Sequence, residues 1–98
     1  MSAYRSLDQI KRANAAAGYH FFDADTLRFF KSRVSATLYG GRYFVTSERG
    51  PSDVRAYTVR RAEDDGSIQT VEPFNRLTRS AAHALAARLA RADRRMAA

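Results

Sequence analysis

Cysteine is absent from the 98 residues, and histidine occurs only twice. The first absence excludes a disulfide framework, a thiolate nucleophile and any Cys-ligated zinc. The second leaves too few imidazoles for a metal centre, because His20 and His83 stand far apart and neither belongs to an HxxxH or HExxH spacing. Long apolar runs are missing as well. None approaches the roughly 20 residues that span a bilayer, and the first residues lack a signal-peptide core. Lysine is nearly absent, at positions 11 and 31 only.

What is present describes a folded chain. An apolar fraction of 45%, with six Phe and five Tyr, exceeds what a disordered segment carries. The length suits a single domain over residues 1–98, soluble and cytoplasmic. Seventeen basic residues against ten acidic ones give a net charge of +7. Fifteen of the seventeen are Arg, and with 18 Ala beside them a genome rich in G and C accounts for the ratio. The functional alternative is that guanidinium forks hold phosphate or carboxylate in bidentate fashion. Placement is more informative than number. Residues 76–98 hold six Arg and one Asp, or +5, whereas residues 1–75 hold 11 basic and nine acidic groups, or +2.

Ser6 and Gln9 have the spacing of a capping box, and Leu7, Ile10, Ala13, Asn14 and Ala17 follow at helical spacing up to Gly18. This predicts a helix over about residues 7–17. Asp23 suits an N-cap for a short second helix over about 24–31. Phe21, Phe22, Phe29 and Phe30 then read as one core wedge, with a ligand-stacking site as the alternative and His20 half-buried beside them.

From Val34 the period changes to two. Gly40-Gly41 between alternating runs predicts a two-residue hairpin that pairs Tyr39 with Arg42 and Leu38 with Tyr43. Val34, Ala36, Leu38, Tyr43 and Val45 share the core face, and Thr37, Tyr39, Arg42, Phe44 and Thr46 the other. Residues 48–53 read as a loop, Val54–Ala62 as a third strand, Glu63–Gly66 as a turn and Ile68–Val71 as a fourth strand. Thr78 is the expected N-cap of a last helix with an apolar stripe of Ala82, Leu85, Leu89, Ala92 and Met96. The expected fold is α+β: two short N-terminal helices, an antiparallel meander of three to four strands, and one C-terminal helix.

Catalysis finds little support. Glu63-Asp64-Asp65 lacks the alternating ligands of a calcium loop, no nucleophile elbow surrounds a Ser, and His83 falls on the exposed side of its helix. No enzyme activity, metal or cofactor is expected. Two surfaces could bind. Arg88, Arg91 and Arg95 align on the last helix, with Arg76 and Arg79 nearby; Arg42, Phe44 and Arg60 share a sheet face with Thr and Tyr residues suited to stacked bases and phosphates. Each surface has a plainer reading. The first is a solvated helix face, and the second a sheet face covered by the two N-terminal helices.

The runs Asn14-Ala15-Ala16-Ala17-Gly18, Phe21-Phe22, Thr26-Leu27-Arg28-Phe29-Phe30-Lys31-Ser32-Arg33 and Tyr39-Gly40-Gly41-Arg42-Tyr43-Phe44-Val45-Thr46-Ser47-Glu48 resemble a family of small uncharacterised proteins of bacteriophages and integrated bacterial elements. Tyr57-Thr58-Val59-Arg60 and Gly66-Ser67-Ile68 extend the resemblance, which covers roughly residues 7–74. It implies an accessory protein acting in a bacterial host cell and carries over no site residue. By analogy, such a protein inhibits a host defence complex, as anti-CRISPR and anti-restriction proteins do. A chain this basic is no DNA mimic. It would dock on an acidic protein surface or a nucleoprotein complex, or bind DNA or RNA directly.

Overall fold

The computed structural model describes residues 3–49 and 54–97. Its elements are α1 (Leu7–Ala16), α2 (Ala24–Phe29), β1 (Arg33–Val34), β2 (Tyr43–Arg49), β3 (Arg55–Ala62), β4 (Ile68–Val71) and α3 (Arg79–Ala97). The strands form one antiparallel sheet in the order β1-β2-β3-β4, so the α+β meander expected from the sequence is the observed architecture.

Local chemistry explains the first helix. The Ser6 hydroxyl accepts the Gln9 N–H at 3.1 Å, and the Gln9 side chain accepts the Arg5 N–H at 2.6 Å, one residue upstream of the usual reciprocal arm. Asp23 behaves differently from expectation. It stands at the N-cap position of α2 but makes no side-chain cap bond, because its carboxylate faces His20 Nδ1 at 2.8 Å. His20 is consequently exposed rather than packed with the phenylalanines.

The hairpin also departs from the two-residue form. Tyr39 and Tyr43 exchange both backbone bonds, at 2.8 and 3.0 Å, across Gly40, Gly41 and Arg42. Arg42 is held to the sheet instead of to Tyr39 alone: its C=O accepts the Ala62 N–H at 2.8 Å. Both glycines have positive φ, and a Cβ on Gly40 would stand 2.8 Å from Ala90 Cβ. Close approach to α3 therefore shapes this loop as much as the turn itself does. Regular pairing of β1 stops at Val34, opposite Thr46. On the other side, β2 continues to Arg49, so Glu48 and Arg49 belong to the strand and not to the expected loop; residues 50–53 lie outside the described residues.

The sheet is covered on both faces. On one, Tyr43, Val45 and Val59 pack with Ala82, Ala86 and Ala90 of α3. Three alanines at i, i+4 and i+8 let the helix lie close to the strands, flanked by Leu85 and Leu89. The buried line thus runs through Ala82, Ala86 and Ala90, whereas the sequence suggested a stripe of Ala82, Leu85, Leu89, Ala92 and Met96. On the opposite face, Phe44 is fully buried beneath the rings of Phe21 and Phe22, with centroids 6.2 and 5.8 Å away, and Ile10 of α1 is fully buried as well.

Asn14 fastens α1 to this second face. Its buried amide donates to the Gly66 C=O at 2.8 Å and accepts the Phe21 N–H at 3.2 Å. The turn at Gly66 lies so near the helix that an added Cβ would stand 2.5 Å from the Ala13 C=O oxygen. Asn14→Ala leaves one buried acceptor and one N–H without partners and is expected to cost about 2–4 kcal/mol. Asn14→Asp, which can still accept from Phe21 but cannot donate to Gly66, is expected to cost at least as much. Urea unfolding of the three proteins checks both values.

Candidate interaction surfaces

The α3 face turned away from the sheet collects charge. Thr78 caps the helix, its hydroxyl accepting the Ala81 N–H at 3.2 Å and its C=O the Ala82 N–H at 3.0 Å. The helix continues past Ala92 to Ala97, with Arg88, Arg91, Arg94 and Arg95 exposed. None of these four has an acidic partner within 4.0 Å among the described residues. Asp93, the one acid of residues 76–98, stands at none of the i±3 or i±4 positions from these arginines and is turned toward the sheet. Tyr43 donates its hydroxyl proton to Asp93 Oδ2 at 2.9 Å, and Arg61 Nη2 lies 3.7 Å from the same oxygen. Arg79 does not join this stripe. Nine residues at about 100° each place it half a turn from Arg88, where it lines a polar pocket with Arg33 and His83. Arg76 is exposed in the connection before α3.

The second surface suggested by the sequence is interior. Phe44 is completely buried and Arg60 is 9% exposed, because the segment after α1 lies over them. Arg42 is half-buried, bonded to the Ala62 C=O at 3.0 Å and paired with Asp64. Tyr39 belongs to the opposite face. The three-residue loop sets it across from Tyr43, where it packs against the α3 core. Arg42, Phe44 and Arg60 therefore form no exposed stacking platform.

The phenylalanines divide into two pairs. Phe21 and Phe22 pack on Phe44, but Phe29 and Phe30 are 79% and 55% exposed, edge-to-face with each other at 4.9 Å. α2 is only six residues long and has no fully buried residue. Phe30 and Phe74, the latter 47% exposed, line a largely apolar pocket of about 200 Å³. Glu48 and Arg60 line it too. The Arg60 guanidinium sits between the rings of Phe21 and Phe74, 5.3 Å from each centroid. It donates to Thr46 Oγ1 at 3.0 Å and to Thr70 Oγ1 at 2.6 Å, and lies 3.6 Å from Glu48 Oε2. Burial lowers its pKa, and Glu48 opposes that shift. Ser32 also donates to Glu48 Oε2, at 2.9 Å, while Glu48 Oε1 is buried without a hydrogen-bond partner among the described residues. Sequence reasoning missed this pocket because it placed Glu48 in a loop. The available signal was two opposite charges, Glu48 and Arg60, in strand positions on the face that also carries Phe44.

Among the described residues no group of three or more His, Cys, Asp or Glu is placed to hold a metal ion, and no helix is long and apolar enough to cross a membrane. The model of a family of unknown function, DUF7447, matches residues 6–88, and the chain belongs to that family. No curated protein and no solved structure matches it.

His83 is half-buried rather than solvated, with Nδ1 2.7 Å from the Tyr39 hydroxyl. Burial and, secondarily, the positive charge of Arg79 pull its pKa below 6.5. The folded state then takes up a proton less readily than the unfolded chain. The associated stability is fully present above pH 6.5 and is lost as pH falls through the folded-state value. NMR titration is expected to place His83 below 6.5, and Arg79→Ala is expected to move it part of the way back, leaving the share due to burial.

Proposed function

We propose that this family member is a non-catalytic interaction protein that docks through the outer face of α3 on the phosphate backbone of a nucleic acid, free or held in a nucleoprotein complex. The run of Arg88, Arg91, Arg94 and Arg95 carries this reading, since all four are exposed on one helix and have no acidic partner within 4.0 Å among the described residues. Arg88 to Arg95 covers roughly 10 Å of helix axis. Duplex DNA presents about six phosphate charges over that length. With Phe44 and Arg60 buried, base stacking on the sheet has no part, and the contact is electrostatic and independent of sequence. In the mobile-element setting that the resemblance implies, such a surface suits an inhibitor of a host complex that targets nucleic acid. That setting rests on the resemblance alone.

Fluorescence anisotropy with a labelled duplex DNA and a duplex RNA, over a salt series, tests the reading. Binding is expected to weaken with salt, with a log–log slope near −3 to −4 for four phosphate contacts on DNA. Arg88→Ala/Arg91→Ala/Arg95→Ala is expected to flatten that slope by about 2.7. Absence of binding at low salt overturns the nucleic-acid reading, and capture of polyglutamate under the same conditions would assign the face to an acidic protein.

A further inference from the structure

The pocket over Arg60 has two properties that a purely structural cavity lacks. Its mouth exposes aromatic rings that the fold does not cover, and one of its lining groups is a carboxylate with an unused acceptor. Glu48 is 5% exposed, yet Oε1 has no hydrogen bond. A buried acceptor without a partner is destabilising, and a ligand that supplies a donor offsets that cost.

The chemistry of that ligand follows from the lining. Arg60 already balances the charge of Glu48, so a second cation would face a guanidinium. Phe21, Leu27, Phe30 and Phe74 make the walls apolar and largely aromatic. An unpartnered acceptor on a residue that lines such a slot asks for a flat ring with a donor and no acceptor of its own. Indole meets that description, since its N–H donates and nothing on it accepts. The volume of about 200 Å³ is below the roughly 300–1,000 Å³ of drug-sized sites, which suits one ring system rather than a nucleotide. Apolar surface continues beyond the pocket onto Phe29, in contact with Phe30. A ring carried by a polypeptide would lay its chain there. This chain contains no Trp, so a second copy cannot supply the indole.

We propose that the Phe30–Phe74–Glu48 pocket receives the indole of a tryptophan presented by a partner protein, with its N–H donated to Glu48. The proposal rests on the reading that the chain works by docking and adds to it a second contact, remote in chemistry from the arginine face. Trp and Arg are the residues most enriched where binding energy concentrates.

The absence of Trp makes the test direct, because the emission of an added indole reports only the probe. N-acetyltryptophanamide is titrated with the protein, followed by fluorescence and by amide NMR shifts. Saturable binding is expected, with shifts at Phe30, Ser32, Glu48 and Phe74. The 1-methyl analogue, which has no N–H, is expected to bind at least about tenfold more weakly, equivalent to loss of about 1.4 kcal/mol. Phe74→Ala and Phe30→Ala, at partly exposed positions, are each expected to weaken binding at least about fivefold, about 1 kcal/mol. Equal binding of the methylated probe overturns the role of Glu48. Absence of any shift at about 10 mM probe, where even a contact worth less than 4 kcal/mol would register, overturns the site. Binding of free indole but not of the amide overturns the polypeptide source in favour of a small molecule. Arg88→Ala/Arg91→Ala/Arg95→Ala is expected to bind N-acetyltryptophanamide as the parent does, so failure of the arginine face and failure of this pocket are read separately.

Discussion

A guanidinium inside the fold, that of Arg60, sets conditions that much of the second sheet face meets. A buried charge is tolerated only with a counter-ion and hydrogen bonds, since desolvation costs several kcal/mol. Thr46 of β2 and Thr70 of β4 each accept one of its bonds, Glu48 of β2 supplies the opposite charge, and Phe21 and Phe74 enclose it from two sides. One side chain on the central part of β3 thereby links both neighbouring strands, the segment after α1 and the connection after β4. The arrangement is incompletely satisfied at Glu48 Oε1, and that deficit coincides with the pocket whose aromatic rim is exposed.

The other sheet face is organised by size. Ala82, Ala86 and Ala90 bring α3 close to Tyr43, Val45 and Val59, and Gly40 permits the same approach at the hairpin. Close packing also brings Asp93, whose side chain stays 43% exposed, within reach of the Tyr43 hydroxyl and of Arg61. Burial raises the Tyr43 pKa, so its hydroxyl keeps its proton and remains a donor to Asp93. The exposed side of α3 carries Arg88, Arg91, Arg94 and Arg95, four of the six arginines of residues 76–98, without an acidic partner among the described residues. One side of the helix packs through alanine and the other presents arginine to solvent.

Much of the fold was legible because its signals are local. The capping pair Ser6 and Gln9, the alternation over Arg55–Ala62, the turn at Gly66 and the cap at Thr78 each depend on residues a few positions apart. The readings that failed depend on distant partners. Asp23 had a nearer claim on its carboxylate, His20, than the helix it precedes. The glycine pair suggested a two-residue turn, but Arg42 is drawn into pairing with Ala62 and Asp64, which adds a residue to the loop. Phe21 and Phe22 reach Phe44, and Phe29 and Phe30, only eight residues on, do not.

By itself, the sequence determined the order of elements, the antiparallel class and the placement of most of the positive charge on one helix. Those follow from periodicity, capping and composition, which need no knowledge of what lies opposite. Only the tertiary structure decided which aromatics are buried, that the Arg42–Phe44–Arg60 face is interior, and that Asp93 meets Tyr43 and Arg61. The physical reason is the same in each case. Burial and ion pairing are set by separations of a few ångströms between residues tens of positions apart, and alternation along one strand carries no record of its cover.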